Sequence, residues 1–354
     1  MKKRTAKKRI PAWLYVLLVV ILAVVSIWQA RQNEADQVEE NRQVLPVDGT
    51  LTVRFLDVGQ GDSALIVCNG QTMLIDGGSV SEGQFLVSRL SRLGVSELDY
   101  VVNTHPDEDH CGGLAGVLAK YPAQHVYSSV TEHTTKVFSN VVKYAEEQGQ
   151  QIEVPQTGDS WYVGDASVTC IGPVGTYSDS NNGSLVLRVD FGETSFLFTG
   201  DMEQKAEADL LESGADVRAD VLKVGHHGSP TSSSQAFLEA VAPSIAVISV
   251  GEDNDYGHPN ADVLSRLEAL GAELYRTDTQ GEIIVRSDGQ TLTVTTDKTS
   301  RTPSAEQMQY VGNKNSQILH SPDCAKLPSE ENRVYFESVE QAEIAGYKKH
   351  TCIK

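Results

Sequence analysis

Within Thr104-His-Pro-Asp-Glu-Asp-His-Cys-Gly-Gly113, five side chains able to bind a metal fall within six residues, directly after a short apolar strand, Asp99–Asn103. His105, Asp107, Asp109 and His110 combine imidazole with carboxylate, a donor set that suits Zn²⁺, Mn²⁺ or Fe²⁺. A solvated acidic loop is the plainer reading, but it does not account for two His flanking two spaced Asp before a glycine pair and a helix. Two further strand ends carry groups of the same kind. Ser195–Gly200 runs into Asp201, whose carboxylate either bridges two metals or caps the helix Glu203–Glu212. Val221–Gly225 runs into His226-His227-Gly-Ser229, and paired histidines at a strand end are metal or catalytic candidates.

The elements that must position these groups follow from pattern. Alternation predicts strands at Leu51–Val58, Ser63–Val67 and Gln71–Ile75, and helical spacing predicts a helix over Phe85–Leu93 that ends at Gly94. Leu114–Lys120 and Lys136–Glu147 read as helices. Ser167–Ile171, Ser184–Asp190 and Thr194–Thr199 read as strands, the last two as a hairpin. Strands at Val221–Val224 and Ile245–Val250 then alternate with helices at Gln235–Val241 and Asp262–Leu270. Ile283–Arg286 and Thr291–Thr295 close the domain. Early strands followed by helix–strand alternation predict a layered α/β fold.

Taken together, His-x-Asp-x-Asp-His, a strand ending in Thr-Gly-Asp and a strand ending in His-His-Gly-Ser resemble the metallo-β-lactamase superfamily. More narrowly, residues 50–297 resemble the hydrolase domain of ComEC-type competence proteins. That likeness also rests on Leu56-Asp-Val-Gly-Gln-Gly-Asp-Ser63, Ile75-Asp-Gly-Gly78, Asn181-Asn-Gly-Ser-Leu185 and Tyr256-Gly-His-Pro259. The resemblance implies a four-layer αββα sandwich with two divalent ions, Zn or Mn, at the edge of the facing sheets. His105 and Asp107 would bind the first metal. Asp109 and His110 would bind the second with one of His226 or His227, His226 being preferred as nearer the strand end. Asp201 would bridge the two. The superfamily's usual third His of the first site is absent, since Asn181-Asn182-Gly-Ser184 stands in its place.

Two such ions activate a water to hydroxide at neutral pH and stabilise charge on the attacked oxygen, so no Ser or Cys nucleophile is required. Asp109 would orient the water or accept its proton, and His258 would act on the leaving group. Asn181, Asn182, Ser184 and Ser229 would bind substrate. Lys223 either neutralises substrate charge or points away, while Asp57, Gln60, Asp62 and Asp76 would support the loop beneath the metals.

Residues 298–309, polar and rich in Thr and Ser, read as a linker to a small module at 310–354 that resembles the Ada-like metal-binding unit. Its ligands would be His320, Cys324, His350 and Cys352. A unit this small has little core, so structural zinc would stabilise it. The spacing His350-Thr-Cys352 departs from that unit's usual pair of cysteines, and a Cys324–Cys352 disulfide is the competing reading.

The first ten residues carry six basic side chains and no acid. Pro11–Trp28 is an uncharged apolar run of 18 residues, about enough to cross a bilayer. The expected organisation is a cytoplasmic segment at 1–9, a transmembrane anchor at 10–28 and a tether at 29–49. The expected location is the cell membrane, single-pass, with the C-terminal domains extracellular. Partners would then be the membrane and a DNA or small phosphodiester substrate; no feature indicates a protein partner.

Charge bears on that substrate. Residues 50–300 hold 14 Lys and Arg against 36 Asp and Glu, a net −22, which repels long polyanions. The expected function is a metal-dependent phosphodiesterase or nuclease. A hydrolase of lactones, thioesters, β-lactams or phosphocholine esters, or a non-catalytic surface binding protein, are the alternatives.

Overall fold

The computed structural model describes Leu45, residues 48–298 and, with short breaks, residues 310–353. The segment 1–9, the apolar run 10–28, nearly all of the tether and the linker lie outside the described residues.

Strands β1 (Leu51–Phe55), β2 (Ala64–Cys68) and β3 (Gln71–Ile75) come first, followed by helix α1 (Gly83–Arg92). Then come β4 (Leu98–Asn103), α2 (Glu108–Cys111), α3 (Leu114–Lys120), β5 (Ala123–Ser128) and α4 (Lys136–Glu147). β6 (Ile152–Glu153), β7 (Ser160–Val163), β8 (Ala166–Gly172), β9 (Val186–Phe191) and β10 (Thr194–Phe198) follow as a run of strands. After α5 (Gln204–Glu212) come β11 (Val221–Lys223), α6 (Gln235–Val241), β12 (Ile245–Ile248) and α7 (Ala261–Ala269). β13 (Glu273–Arg276), α8 (Thr277–Gln280), β14 (Glu282–Ser287) and β15 (Leu292–Asp297) complete the large domain.

These strands form two sheets, in the orders β15-β14-β1-β2-β3-β4-β5-β6 and β13-β12-β11-β10-β9-β8-β7. Apolar side chains of both, among them Phe55, Met73, Leu187, Phe196 and Val247, make one core; the Phe55 and Phe198 rings stack at 5.8 Å. A second core joins Leu65 and Leu74 of the first sheet to Leu86, Leu114 and Phe138 of α1, α3 and α4. A third joins Leu197 and Leu222 of the second sheet to Leu210, Phe237 and Leu267 of α5, α6 and α7. Burying each of these large side chains contributes about 1.5–3 kcal/mol. The helix starts are capped where the sequence supplies a hydroxyl or amide: Thr135 accepts from Phe138 N–H, Ser234 from Phe237 N–H, and Asn260 from Asp262 N–H.

Each sheet changes from antiparallel to parallel pairing part-way across, at β3/β4 and at β10/β11. Ligand sites in open α/β sheets lie beyond the carboxyl ends of strands at such points. The His/Asp loop leaves β4 there, Asp201 leaves β10, and His226 and His227 leave β11.

The C-terminal module is a four-stranded sheet, β18-β16-β17-β19, of β16 (Tyr310–Asn313), β17 (Ile318–His320), β18 (Arg333–Phe336) and β19 (Lys348–Lys349), with α9 (Val339–Ile344). Its buried apolar cluster is Leu319, Phe336, Ala342 and Tyr347, a small core for an independent unit.

The membrane reading is corrected. Among the described residues no helix is long and apolar enough to cross a membrane. The transmembrane anchor, the single-pass location with extracellular domains and the membrane as a partner are therefore not supported.

Candidate metal centre

Three glycine-bearing loops interlock beneath the His/Asp loop by backbone contact. Asp62 N–H donates to Asp109 C=O, Gly77 N–H to His110 C=O, Gly78 N–H to Asp62 C=O and Gly113 N–H to Gly78 C=O. A Cβ on Gly113 would stand 2.1 Å from Gly77 O, so only glycine permits that approach. The motifs at 56–63, 75–78 and 111–113 are thus one structure that fixes the backbone carrying the ligands.

Asp76 is the buried hub above it. Its carboxylate accepts from Thr104 N–H (2.7 Å), Thr104 Oγ1 (2.7 Å) and Asn103 Nδ2 (3.2 Å), and holds His110 Nδ1 at 2.9 Å. His110 Nε2 is thereby turned toward Asp201 Oδ1, 3.1 Å away. His227 is held from the other side. Its Nδ1 lies 3.0 Å from Ser249 C=O and 3.2 Å from Asp62, which is itself paired with Lys223 at 2.7 Å. That leaves His227 Nε2 3.2 Å from Asp109 Oδ2 and 3.6 Å from Asp201 Oδ2. His105 Nε2 reaches Asp107 at 3.7 Å and Asp201 at 4.0 Å; Asp107 also accepts from Ser180 Oγ at 2.8 Å.

Asp109, His110, Asp201 and His227 offer donor atoms all within 4.8 Å of one another. His105 Nε2, His110 Nε2, His227 Nε2 and Asp201 Oδ1 are buried without a hydrogen-bond partner. Buried polar atoms are nearly always satisfied, so four orphaned atoms in one cluster fit a cation they would jointly ligate. His226 differs. Its side chain is 22 % exposed against 2 % for His227; its Nε2 is 3.5 Å from Asp201 and its Nδ1 is held by Glu203 at 3.4 Å. The geometry thus draws His227 rather than the preferred His226 in with Asp109 and His110.

The charges make the same point. Burial alone would lower the His110 imidazole, but Asp201 and Asp76 outweigh it and hold it well above the ordinary histidine value. Burial likewise opposes His227, yet Asp201, Asp109 and Asp62 raise it to about 10. His105, buried and beside His110, is pushed down to about 3. Burial would raise Asp201, but the surrounding histidines keep it well below the usual carboxylate range. The carboxylates draw positive charge to this point, as protons on His110 and His227 or as divalent ions.

The remaining candidates divide. Asn182 hydrogen-bonds Asp179 and Ala206 N–H, Ser184 Oγ accepts from Asp201 N–H, and Ser229 Oγ bonds Thr231. These three buried side chains brace the loops. Asn181 gives its carbonyl to Ser184 N–H. Lys223 is buried and paired with Asp62 at 2.7 Å. His258 stands against His226, ring centroids 5.7 Å apart, with Nδ1 buried and unpartnered. Burial, then His227 and His226, lower its pKa. Glu203 was not among the sequence candidates, and helix-start position gave no sign of its partner, since His226 is remote in sequence.

The second cluster joins His320, Cys324, His350 and Cys352, again within 4.8 Å. His320 Nδ1 is 3.3 Å and His350 Nδ1 3.6 Å from Cys324 Sγ. Both cysteines are free thiols, so the disulfide reading does not describe this structure. Against a desolvation that raises it, hydrogen bonds from Ser321 N–H, Cys324 and His350 lower the Cys352 thiol to about 6, favouring the thiolate a metal requires.

Residues 56–252 match the family described as "Metallo-beta-lactamase superfamily". The chain belongs to that superfamily. Residues 296–352 match "Metal binding domain of Ada". The ComE operon protein 3 of Bacillus subtilis is 31% identical over 66% of this chain and 33% of its own length. The competence protein ComA of Neisseria gonorrhoeae is 36% identical over 65% of this chain and 31% of its own. The chain thus spans about a third of the length of the relatives it matches. The solved metallo-beta-lactamase fold protein YhfI from Bacillus subtilis matches at TM-score 0.48 and 10% identity, over 67% of this chain and 100% of that one. The chain is a metal-dependent hydrolase of its superfamily, related to ComEC-type proteins and carrying an Ada-like metal-binding unit.

Proposed function

We propose that this hydrolase cleaves phosphodiesters at the cluster of His105, Asp107, Asp109, His110, Asp201 and His227. The observation that carries the reading is the donor set itself: three carboxylates and three imidazoles around one buried point, enough for two divalent ions. Such ions, when bound, acidify water and neutralise a phosphoryl oxygen. His105 and Asp107 would hold one, Asp109, His110 and His227 the other, and Asp201 would touch both. An oxygen-rich first site suits Mn²⁺ as well as Zn²⁺.

The protein's own groups supply the rest. Asp76 and the Asp62–Lys223 pair lock the tautomers of His110 and His227, so their Nε2 atoms face inward. Asp109, the more solvent-accessible carboxylate of the second set, is placed to take a proton from the attacking water. His258, its pKa lowered by burial and by the nearby histidines, would exchange a proton with the leaving oxygen. Competence-type relatives make nucleic acid one substrate class, while the net −22 favours a short or small diester over long duplex DNA.

The test uses the purified chain loaded with Mn²⁺ or Zn²⁺ on bis-p-nitrophenyl phosphate and on single- and double-stranded DNA, with Asp109→Ala alongside. Metal-dependent cleavage lost by at least about a thousandfold in the variant is expected. Hydrolysis of lactones or thioesters with none of these diesters would overturn the reading.

A further inference from the structure

We infer that a cavity at the edge strands of the two sheets, with none of the metal ligands in its lining, binds a small organic molecule bearing an ammonium group. The cavity holds about 210 Å³ and is lined by Tyr127, Glu153, Val154, Pro155, Asp159, Ser160 and Trp161. That is below the roughly 300–1,000 Å³ of pockets for drug-sized ligands, so its occupant is small.

Topology builds it. β5 and β6 pair in parallel with Tyr127 opposite Glu153, which sets both side chains on one face of the sheet. Trp161 reaches the same space from β7, the edge strand of the other sheet. The Tyr127 and Trp161 rings meet edge to face, 5.0 Å apart at 70°. Tyr100 backs both, at 5.7 Å and 5.9 Å. Two of the lining residues are therefore aromatic and held in place by their ring contacts.

The polar lining has one sign. Glu153 and Asp159 are its charged groups. Burial raises the Tyr127 hydroxyl, and the Glu153 charge, Tyr100 and the Asp159 charge raise it further, which places both carboxylates within electrostatic reach of that ring. Aromatic rings and carboxylates attract the same partner, an organic cation, and the acidic body draws cations toward it. A phosphate or carboxylate ligand would meet repulsion from both acids. Trp161 is 8 % exposed and its indole N–H has no hydrogen-bond partner.

Trp161 is also the reporter, since the other two tryptophans are Trp13 and Trp28. The full chain carrying Trp13→Phe and Trp28→Phe would be titrated with choline while its emission is followed. The neutral isostere 3,3-dimethyl-1-butanol and the double variant Glu153→Gln/Asp159→Asn serve as controls; both acids are exposed, so the variant keeps the fold. A saturable change is expected, with half-saturation roughly fivefold to tenfold higher in the double variant and for the isostere. No saturable change with choline would overturn the site. Equal binding of the isostere, or unchanged choline binding in the double variant, would overturn the assignment to a cation. Hydrolytic activity does not enter the readout, so this inference and the proposed function fail separately.

Discussion

His226 and His227 are neighbours in sequence but face different surroundings, because both take left-handed backbone, φ 51° and 54°. Two consecutive non-glycine residues in that region cost of order 1 kcal/mol each, a strain the surrounding bonds to Ser249, Asp62 and Glu203 sustain. The expected consequence is a difference in metal content. Measured by elemental analysis after dialysis, His227→Gln loses about one bound ion per chain relative to wild type, while His226→Gln keeps its metal. Equal loss in both would show that the two histidines are not distinguished as the geometry has it. The metal-free protein also has a defined pH response. The His227 pKa is raised from 6.5 to about 10 by its partners. Its contribution to stability is therefore fully present below pH 6.5 and is lost as pH climbs through 10. In chelator, the Tm should fall between pH 7 and 10 more steeply for wild type than for His227→Gln; parallel curves would contradict this. At this scale the sequence was readable where ligands cluster locally, as in 105–110. It named Asp62 only as support for the loop beneath the metals and was silent on Lys223 and Glu203 as orienting partners, because each acts on a residue far away in the chain.

A buried ion-pair triad joins two adjacent strands of the first sheet to a helix. Glu282 of β14, fully buried, receives Arg54 of β1 at 2.7 Å and Arg89 of α1 at 2.7 Å. Removing the acid takes this partner from two largely buried guanidiniums, leaving Arg89 only Asp297 at 3.5 Å. Glu282→Ala is expected to cost about 3–5 kcal/mol in denaturant unfolding, with metal content unchanged; a cost under about 1 kcal/mol would contradict this. Helices with helical spacing were legible: Leu114–Lys120, Lys136–Glu147 and Gln235–Val241 fall at the residues their spacing predicts, the last two with side-chain caps. Missed were β5, β6, β7 and β13. Ala123-Gln-His-Val-Tyr-Ser and Glu273-Leu-Tyr-Arg mix polar and aromatic residues on short strands, and partners distant in sequence, not local propensity, hold them in the sheets.

For the whole molecule, the acidic balance is the property that most separates one substrate from another. A chain of net −22 over 50–300 repels DNA at long range, and salt screens that repulsion. On single-stranded DNA, kcat/KM should therefore rise between about 50 and 200 mM salt, opposite to the fall that basic nucleic-acid binders show. A steep fall would point instead to a local basic path for the strand. The two family matches, at 56–252 and 296–352, follow one another in the order of the motifs in the sequence. The membrane anchor expected from Pro11–Trp28 is the whole-molecule reading that the structure does not support: an apolar run satisfies the length criterion, yet no described helix meets it. The most direct measurement is hydrolysis of bis-p-nitrophenyl phosphate by chelator-treated protein before and after Mn²⁺ or Zn²⁺ is restored, with Asp201→Asn in parallel. The account predicts no turnover in chelator, full recovery with metal, and no recovery in Asp201→Asn. Turnover that persists in chelator, or that survives in the variant, would contradict it.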